Sequence, residues 1–185
     1  MTGEYTQITY ERVDHVARIS LNRPQARNAQ SRRLLRELDA AFTEATEDVE
    51  VRVIVLRGEG EAFSAGHDLG SAEQKADLDA DPYEEGLRGS YKRSWDNNID
   101  FTLRWRDVPK PTIAAVHGFC IFGGWMIAAA MDVVIAAEDA QFLPTNFQYF
   151  SVPWDIGARK TKEILYESRF LSGVEAHELG FVNRV

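Results

Sequence analysis

Residues 110–132 read Lys-Pro-Thr-Ile-Ala-Ala-Val-His-Gly-Phe-Cys-Ile-Phe-Gly-Gly-Trp-Met-Ile-Ala-Ala-Ala-Met-Asp, and between Pro111 and Met131 lie 21 positions without an Asp, Glu, Lys or Arg. That length reaches a membrane span. Its interior argues otherwise: Pro111, His117, Gly118 and the Gly123-Gly124 pair divide it into a β-branched piece at 112–116 and an Ala-rich piece at 125–131. The expected reading is a buried strand, a turn and a buried helix. The flanking sequence repeats the theme. Residues 51–57 and 133–137 are short apolar runs expected as strands covered on both faces, as in a parallel sheet joined by βαβ crossovers.

Upstream, residues 8–21 form two alternating runs around Val13-Asp14-His15, a hairpin signal, closed by a turn at Asn22-Arg23-Pro24. Residues 31–47 then place Leu34, Leu35, Leu38, Ala41, Phe42 and Ala45 on one helical stripe. Residues 70–108 carry nine acids, six bases and scattered aromatics without a strand signal, and read as mobile loop leading into helix. The fold class is therefore α/β in one domain. The 185 residues are 44% hydrophobic and 27% charged, which is ordinary for a globular chain with one core. A net charge of −8 disfavours nucleic acid as partner. The single cysteine, Cys120, fits a reducing compartment, and residues 1–10 show no basic segment followed by an apolar one, so a cytoplasmic location with no membrane partner is expected.

Two glycine-bearing turns follow strands: Phe63-Ser64-Ala65-Gly66-His67-Asp68-Leu69, and His117-Gly118 through Gly123-Gly124 into the Ala-rich helix. Backbone N–H groups converging from two such turns would stabilise charge developing on a carbonyl oxygen; purely structural turns are the other reading of the same residues. Residues 23–36 hold five arginines and no acid, either a local anion site or a solvated helix face. His15, His117 and His177 lack ligand spacing, so no metal site is expected. Trp95, Phe101 and Trp105 fit an acyl pocket and core packing equally well.

The motifs Leu21-Asn22-Arg23-Pro24 with Asn28-Ala29, residues 51–58, 63–69 and 110–132, Ala140-Gln141-Phe142 and residues 176–185 together resemble the crotonase (enoyl-CoA hydratase/isomerase) superfamily across nearly the whole chain. The resemblance implies a crotonase-like (ClpP/crotonase) spiral of ββα units with mostly parallel sheets. It implies an acyl-CoA thioester as substrate, with no permanently bound cofactor. The thioester carbonyl would sit between the backbone N–H groups of His67 and Gly123. The substrate would be bound by Ala26, Arg27, Ala65, Gly66, His67, Asp68, Leu69, Gly123, Asn146 and Trp154, with Arg27 a phosphate contact. Family chains run on past the motif at 180–185 into helices that cover the site and help build trimers. The expectation is thus a core domain at 1–185 without the C-terminal helical region, an apolar face exposed where those helices would pack, and a homo-oligomer, trimer or dimer of trimers.

The sequence also departs from the family. The two glutamates that position water in hydratases fall at Met126 and Asn146, neither able to act as general acid or base. His67 stands where alanine is frequent. The Ser-Ala-Gly-His-Asp turn resembles that of methylmalonyl-CoA decarboxylases, whose tyrosine after a Val-Pro pair is replaced after Val152-Pro153 by Trp154 and Asp155. Asp155 is the nearest ionisable candidate for acid/base work, or the N-cap of a helix at 156–166. These departures leave three expectations: a hydratase-like lyase or isomerase acting by enolate stabilisation, a methylmalonyl-CoA decarboxylase-like lyase, or a non-catalytic acyl-CoA binder or structural subunit.

Overall fold

The structure, a computed structural model, describes residues 5–145 and 153–185; Asn146 and Val152 lie outside them. The chain alternates between two sheets. β1 (Ile8–Val13) and β2 (Val16–Leu21) form the expected hairpin, and β2, β3 (Val53–Gly58), β5 (Thr112–Val116) and β7 (Val133–Ala136) then align in parallel, giving a five-stranded sheet in the order β1-β2-β3-β5-β7. β4 (Ala62–Ser64), β6 (Phe119–Ile121) and β8 (Gln141–Leu143) pair in parallel in a four-stranded second sheet, completed by the antiparallel β9 (Leu171–Ser172). Each successive unit from β3 onward gives one strand to each sheet. The repeat brings the turns after β4 and β6 side by side.

Helix α1 (Arg32–Glu47) starts where Ser31 Oγ accepts from the Leu34 N–H, and its predicted stripe is the buried face. Where a mobile loop leading into helix is expected, residues 72–106 are largely helical, with α2 (Ala72–Ala80), α3 (Gly86–Ser94), a π-helical turn (Trp95–Asp100) and α4 (Phe101–Arg106); Ser71 caps α2, and Glu73 and Asp77 pair with Arg23 and Arg32, contacts the local sequence does not show. Phe101 and Trp105 stack on each other and Trp105 on Phe42, with the Trp105 indole N–H donating to Asp39, so both serve the core; Trp95 stacks on Tyr91 at the surface.

The 110–132 stretch is not one helix. It forms β5, β6 and α5 (Gly123–Ala129), and among the described residues no helix is long and apolar enough to cross a membrane. Asp132 closes the unit: its carboxylate accepts from the Thr112 N–H and hydroxyl, tying the end of α5 to the start of β5. The expectation of strands covered on both faces is only half met. Ile54, Leu56, Ala114, Val116 and Val134 are buried, while Val53, Val55, Ile113 and Val133 on the other face are only partly covered and Ile135 is exposed. The described helices cover that outer face incompletely, so its apolar residues alternate in exposure with the pleat.

The second sheet is joined to α5 by aromatics. Phe142, fully buried, meets the rings of Trp125 and Phe181 at 5.4 and 5.5 Å, and those two meet each other at 5.0 Å. Phe142→Ala is expected to cost about 3–5 kcal/mol, read as a lowered midpoint of urea unfolding.

Candidate active site

The turn after β4 is held by main-chain pairing. The Gln30 N–H donates to the Gly66 carbonyl at 2.8 Å, and the Asp68 N–H donates to the Gln30 carbonyl at 3.0 Å. A parallel bridge of this kind turns the N–H of the residue between, His67, away from Gln30. Side chains reinforce it. Ser64 Oγ donates to the Asn28 carbonyl and accepts from the Gly66 N–H and from Gln30 Nε2. Asn28, fully buried at φ 54°, accepts from the Arg23 N–H and donates to the carbonyls of Glu59 and Ala62.

The turn after β6 packs directly on this one. A Cβ on Gly66, at φ 92°, would lie 2.7 Å from the Ile121 carbonyl, 3.2 Å from Phe122 Cβ and 3.4 Å from the Gly123 nitrogen, so only glycine allows the two turns to approach. A Cβ on Gly124, in the first turn of α5, would meet the Ser64 carbonyl at 2.7 Å, so glycine is required there as well. Phe122, at φ 48° and ψ −106°, is a bulky residue in a sparsely populated conformation, a form of strain that concentrates at functional sites. The space a Gly123 side chain would fill is taken by His67, with Cε1 at 2.7 Å and Nδ1 at 2.9 Å, and by Gln30 Oε1. Burial lowers the His67 pKa below its ordinary value, leaving a neutral ring at pH 7.

The loop expected along the nucleotide is adjacent. Pro24–Ala26 form a single 3-10 turn capped by Arg27 at φ 49°, and the Arg27 carbonyl accepts from the Ala65 N–H at 2.8 Å. The five-arginine run is not a basic patch. Arg23 is buried and bound to Asp68 (3.0 Å) and Glu73 (2.8 Å); Arg32 is buried against Asp77 and Asp81; Arg33 pairs with Glu37 and Arg36 with Asp81. The acids come from the His67 turn, from α2 and its C-cap Asp81, and from α1 itself, and all but Glu37 lie outside 23–36 and its helix. Arg27 alone of the five is exposed without an ion pair among the described residues.

Other expected residues are dispersed. Met126 is buried in α5, whereas Leu69 and Trp154 are largely exposed. Asp155 lines a small polar cavity of about 170 Å³ with Ala129, Asp132, Gly180 and Asn183, at the opposite end of α5 from Gly123. Although it keeps solvent contact, the surrounding protein raises its pKa, and Arg106 pulls the other way. Nor is it the N-cap of the following helix: it lies within Pro153–Ile156, and Gly157 at φ 83° caps Ala158–Glu167 because the chain turns there in a conformation glycine tolerates. Asn146 lies outside the described residues. His15, His117 and His177 each bond a backbone carbonyl. Of the residues that do most to position His67, Ser64 lies within the turn motif at 63–69, whereas Gln30 carries no signal that singles it out in the sequence.

Two turns clamped face to face across a two-sheet spiral define a protein of the crotonase fold. Residues 11–185 match the family model described as enoyl-CoA hydratase/isomerase, and the chain belongs to that family. A Mycobacterium tuberculosis protein named as an enoyl-CoA hydratase, EchA13, is 39% identical over 203 aligned positions covering 98% of this chain. This chain spans 64% of that relative and 62% of a second, from Arabidopsis thaliana. Among solved structures, one from Mycobacterium smegmatis, assigned to the enoyl-CoA hydratases, is 44% identical with a TM-score of 0.85, covering 97% of this chain and 71% of that one. An enoyl-CoA hydratase/isomerase from Xanthobacter autotrophicus is 37% identical with a TM-score of 0.84, covering 98% and 67%.

The Arg23–Asp68 pair makes the turn acid-sensitive. Burial opposes ionisation of Asp68, but hydrogen bonds from Ser71, Gly70 and the Arg23 guanidinium outweigh it and hold the carboxyl at about 2. Because this lies below the unfolded value, the contribution is complete above about pH 4 and lost as pH falls through about 2. Its size is on the order of 1–2 kcal/mol after solvent screening. Asp68→Asn is expected to flatten unfolding free energy over that window and to lower it at pH 7; a window as steep as in the parent protein would refute this account.

Proposed function

We propose that the chain binds an acyl-CoA thioester and stabilises the thioester enolate between the backbone N–H groups of His67 and Gly123. The observation that carries this reading is the Gln30 bridge, which turns the His67 N–H away from Gln30 while Gly66 lets Gly123 approach. Two preorganised donors would favour charge as it develops on the carbonyl oxygen. The nucleotide would lie along Ala26 and Arg27, with the unpaired Arg27 guanidinium on a phosphate. Ala65, Gly66, Asp68 and Leu69 would flank the thioester, the Asp68 carboxylate shaping the turn from within. Assembly as a homo-oligomer, trimer or dimer of trimers, and a cytoplasmic setting belong to the same proposal.

Acid/base chemistry falls to His67. Its neutral imidazole rests on the Gly123 backbone, within reach of a proton next to the thioester carbonyl. Met126 offers no titratable group, and Asp155 stands at the far end of α5. Hydration of an enoyl thioester would therefore be slow. A second reading, decarboxylation of a malonyl-type thioester, is favoured by the buried thioether at Met126: breaking the C–C bond leaves its electron pair as the enolate, carbon dioxide departs, and no base is required.

Calorimetric titration with butyryl-CoA is expected to show binding, and no binding at millimolar ligand would overturn the reading. Gly123→Ala, whose methyl displaces His67 and Gln30, is expected to weaken binding at least tenfold in a folded protein. Crotonyl-CoA hydration is expected about 10²–10⁴-fold below that of a relative carrying both glutamates. Carbon dioxide release from methylmalonyl-CoA distinguishes decarboxylation, and binding without turnover of any CoA ester would mark a non-catalytic binder.

A further inference from the structure

A cleft of about 400 Å³ opens beside His67, bounded by Gln30, Arg32 and Leu35 at the start of α1, by residues 67–70, by Gln74, Lys75 and Leu78 of α2, and by Arg93, Ser94, Asn97 and Asn98. Pockets for hydrocarbon are lined mainly by hydrocarbon. Among the described residues of this lining, Leu35, Leu69 and Leu78 are the only aliphatic side chains beyond the cations' own stems, and Leu69 is almost fully exposed.

The charges in this wall do not cancel. Arg32 is neutralised by Asp77 and Asp81, and Asp68 by Arg23. Lys75 and Arg93 form no ion pair and no side-chain hydrogen bond among the described residues, although the chain as a whole is acidic. The acids on the same helices are occupied elsewhere: Glu73 binds Arg23 and Asp96 binds Lys92, while Asp79, one turn along from Lys75, forms no ion pair with it. Lys75 is also placed, its Cε lying 3.5 Å from where a Cβ on Gly70 would stand, so its stem crosses the turn that carries His67.

The cleft is separate from the loop assigned to the nucleotide. Arg27 meets Ala65, ahead of Gly66, whereas the cleft begins at His67 and includes neither Ala26 nor Arg27. A thioester held at His67 and Gly123, with its nucleotide at Arg27, would direct its acyl end into the cleft. We propose that the acyl group carries an anion of its own, a carboxylate received by Lys75 and Arg93, making the substrate a monothioester of a dicarboxylic acid. This rests on the acyl-CoA reading above and specifies its substrate class. Two cations facing one carboxylate in a half-exposed cleft give discrimination over a methyl-ended chain of about tenfold.

The test compares succinyl-CoA and glutaryl-CoA with butyryl-CoA and valeryl-CoA by calorimetry at low and high salt, in the parent protein and in the K75Q/R93Q double variant. Both side chains are exposed, and thermal melting checks that the variant folds. The expected result is about tenfold tighter binding of the carboxylated esters, shrinking with salt, and a ratio near one in the double variant. A parent ratio near one overturns the proposal and leaves the acyl-CoA reading standing. A double variant that weakens both classes by the same factor also overturns it, assigning the cations to the CoA phosphates. Failure of all four esters to bind overturns the acyl-CoA reading and this proposal with it.

Discussion

The main-chain bridge between Gln30 and the residues flanking His67 is the constraint on which the rest of this structure depends. A loop that joins a hairpin to a helix ordinarily sits at the surface and moves. Here it is stitched to the turn after β4 by groups withdrawn from water: the Asn28 amide, the Ser64 hydroxyl and the Arg23 guanidinium. Removing any one partner would strand another in the interior, where an unpaired polar group costs about 1–3 kcal/mol. The turn is therefore rigid for reasons that lie some 40 residues upstream of it, and the proposed donor geometry inherits that rigidity.

The same network explains why a basic-looking run does not act as a basic surface. Arg23 and Arg32 are buried and paired, so their charges are spent fixing α2 against α1 and the His67 turn. What remains unpaired near the turn among the described residues is Arg27 on one side and Lys75 with Arg93 on the other. Positive charge around the site is thus divided into two separate places, with the proposed thioester position between them. An acidic protein can offer two anion-binding regions without a net positive field, because local unpaired cations outweigh distant screened charge.

Much of the architecture was legible in order and period. The α1 stripe, the hairpin, and the strand and helix at the two ends of 110–132 follow from periodicity and from glycine and proline placement, signals that depend on near neighbours, whereas the turn expected between them holds β6, a strand made by pairing with β4 and β8. The two glycine-bearing turns were legible as turns, but their packing on each other was not; there Gly66 and Gly124 each meet backbone in the place a side chain would take. The partners of those turns were not. Gln30 is an ordinary polar residue in the sequence, and Lys75 and Arg93 sit in a helical stretch of mixed charge where nothing marks two bases as unpaired. The outer face of the parallel sheet was also misread, since apolar composition on both faces does not state whether anything covers them.

By itself, then, the sequence determined the hairpin, the α1 helix, the strands β3, β5 and β7 and the lack of a titratable group at Met126, because each is written in residue type or short spacing, whereas the short strands of the second sheet carry no such signal. Tertiary structure alone decided which charges cancel, which way the His67 N–H faces, that Asp155 stands apart from His67 at the other end of α5, and that a polar cleft opens beside the turn. Those properties belong to pairs of residues far apart in the chain, and only the closing of the two sheets brings such pairs within the few ångströms over which hydrogen bonds and ion pairs act.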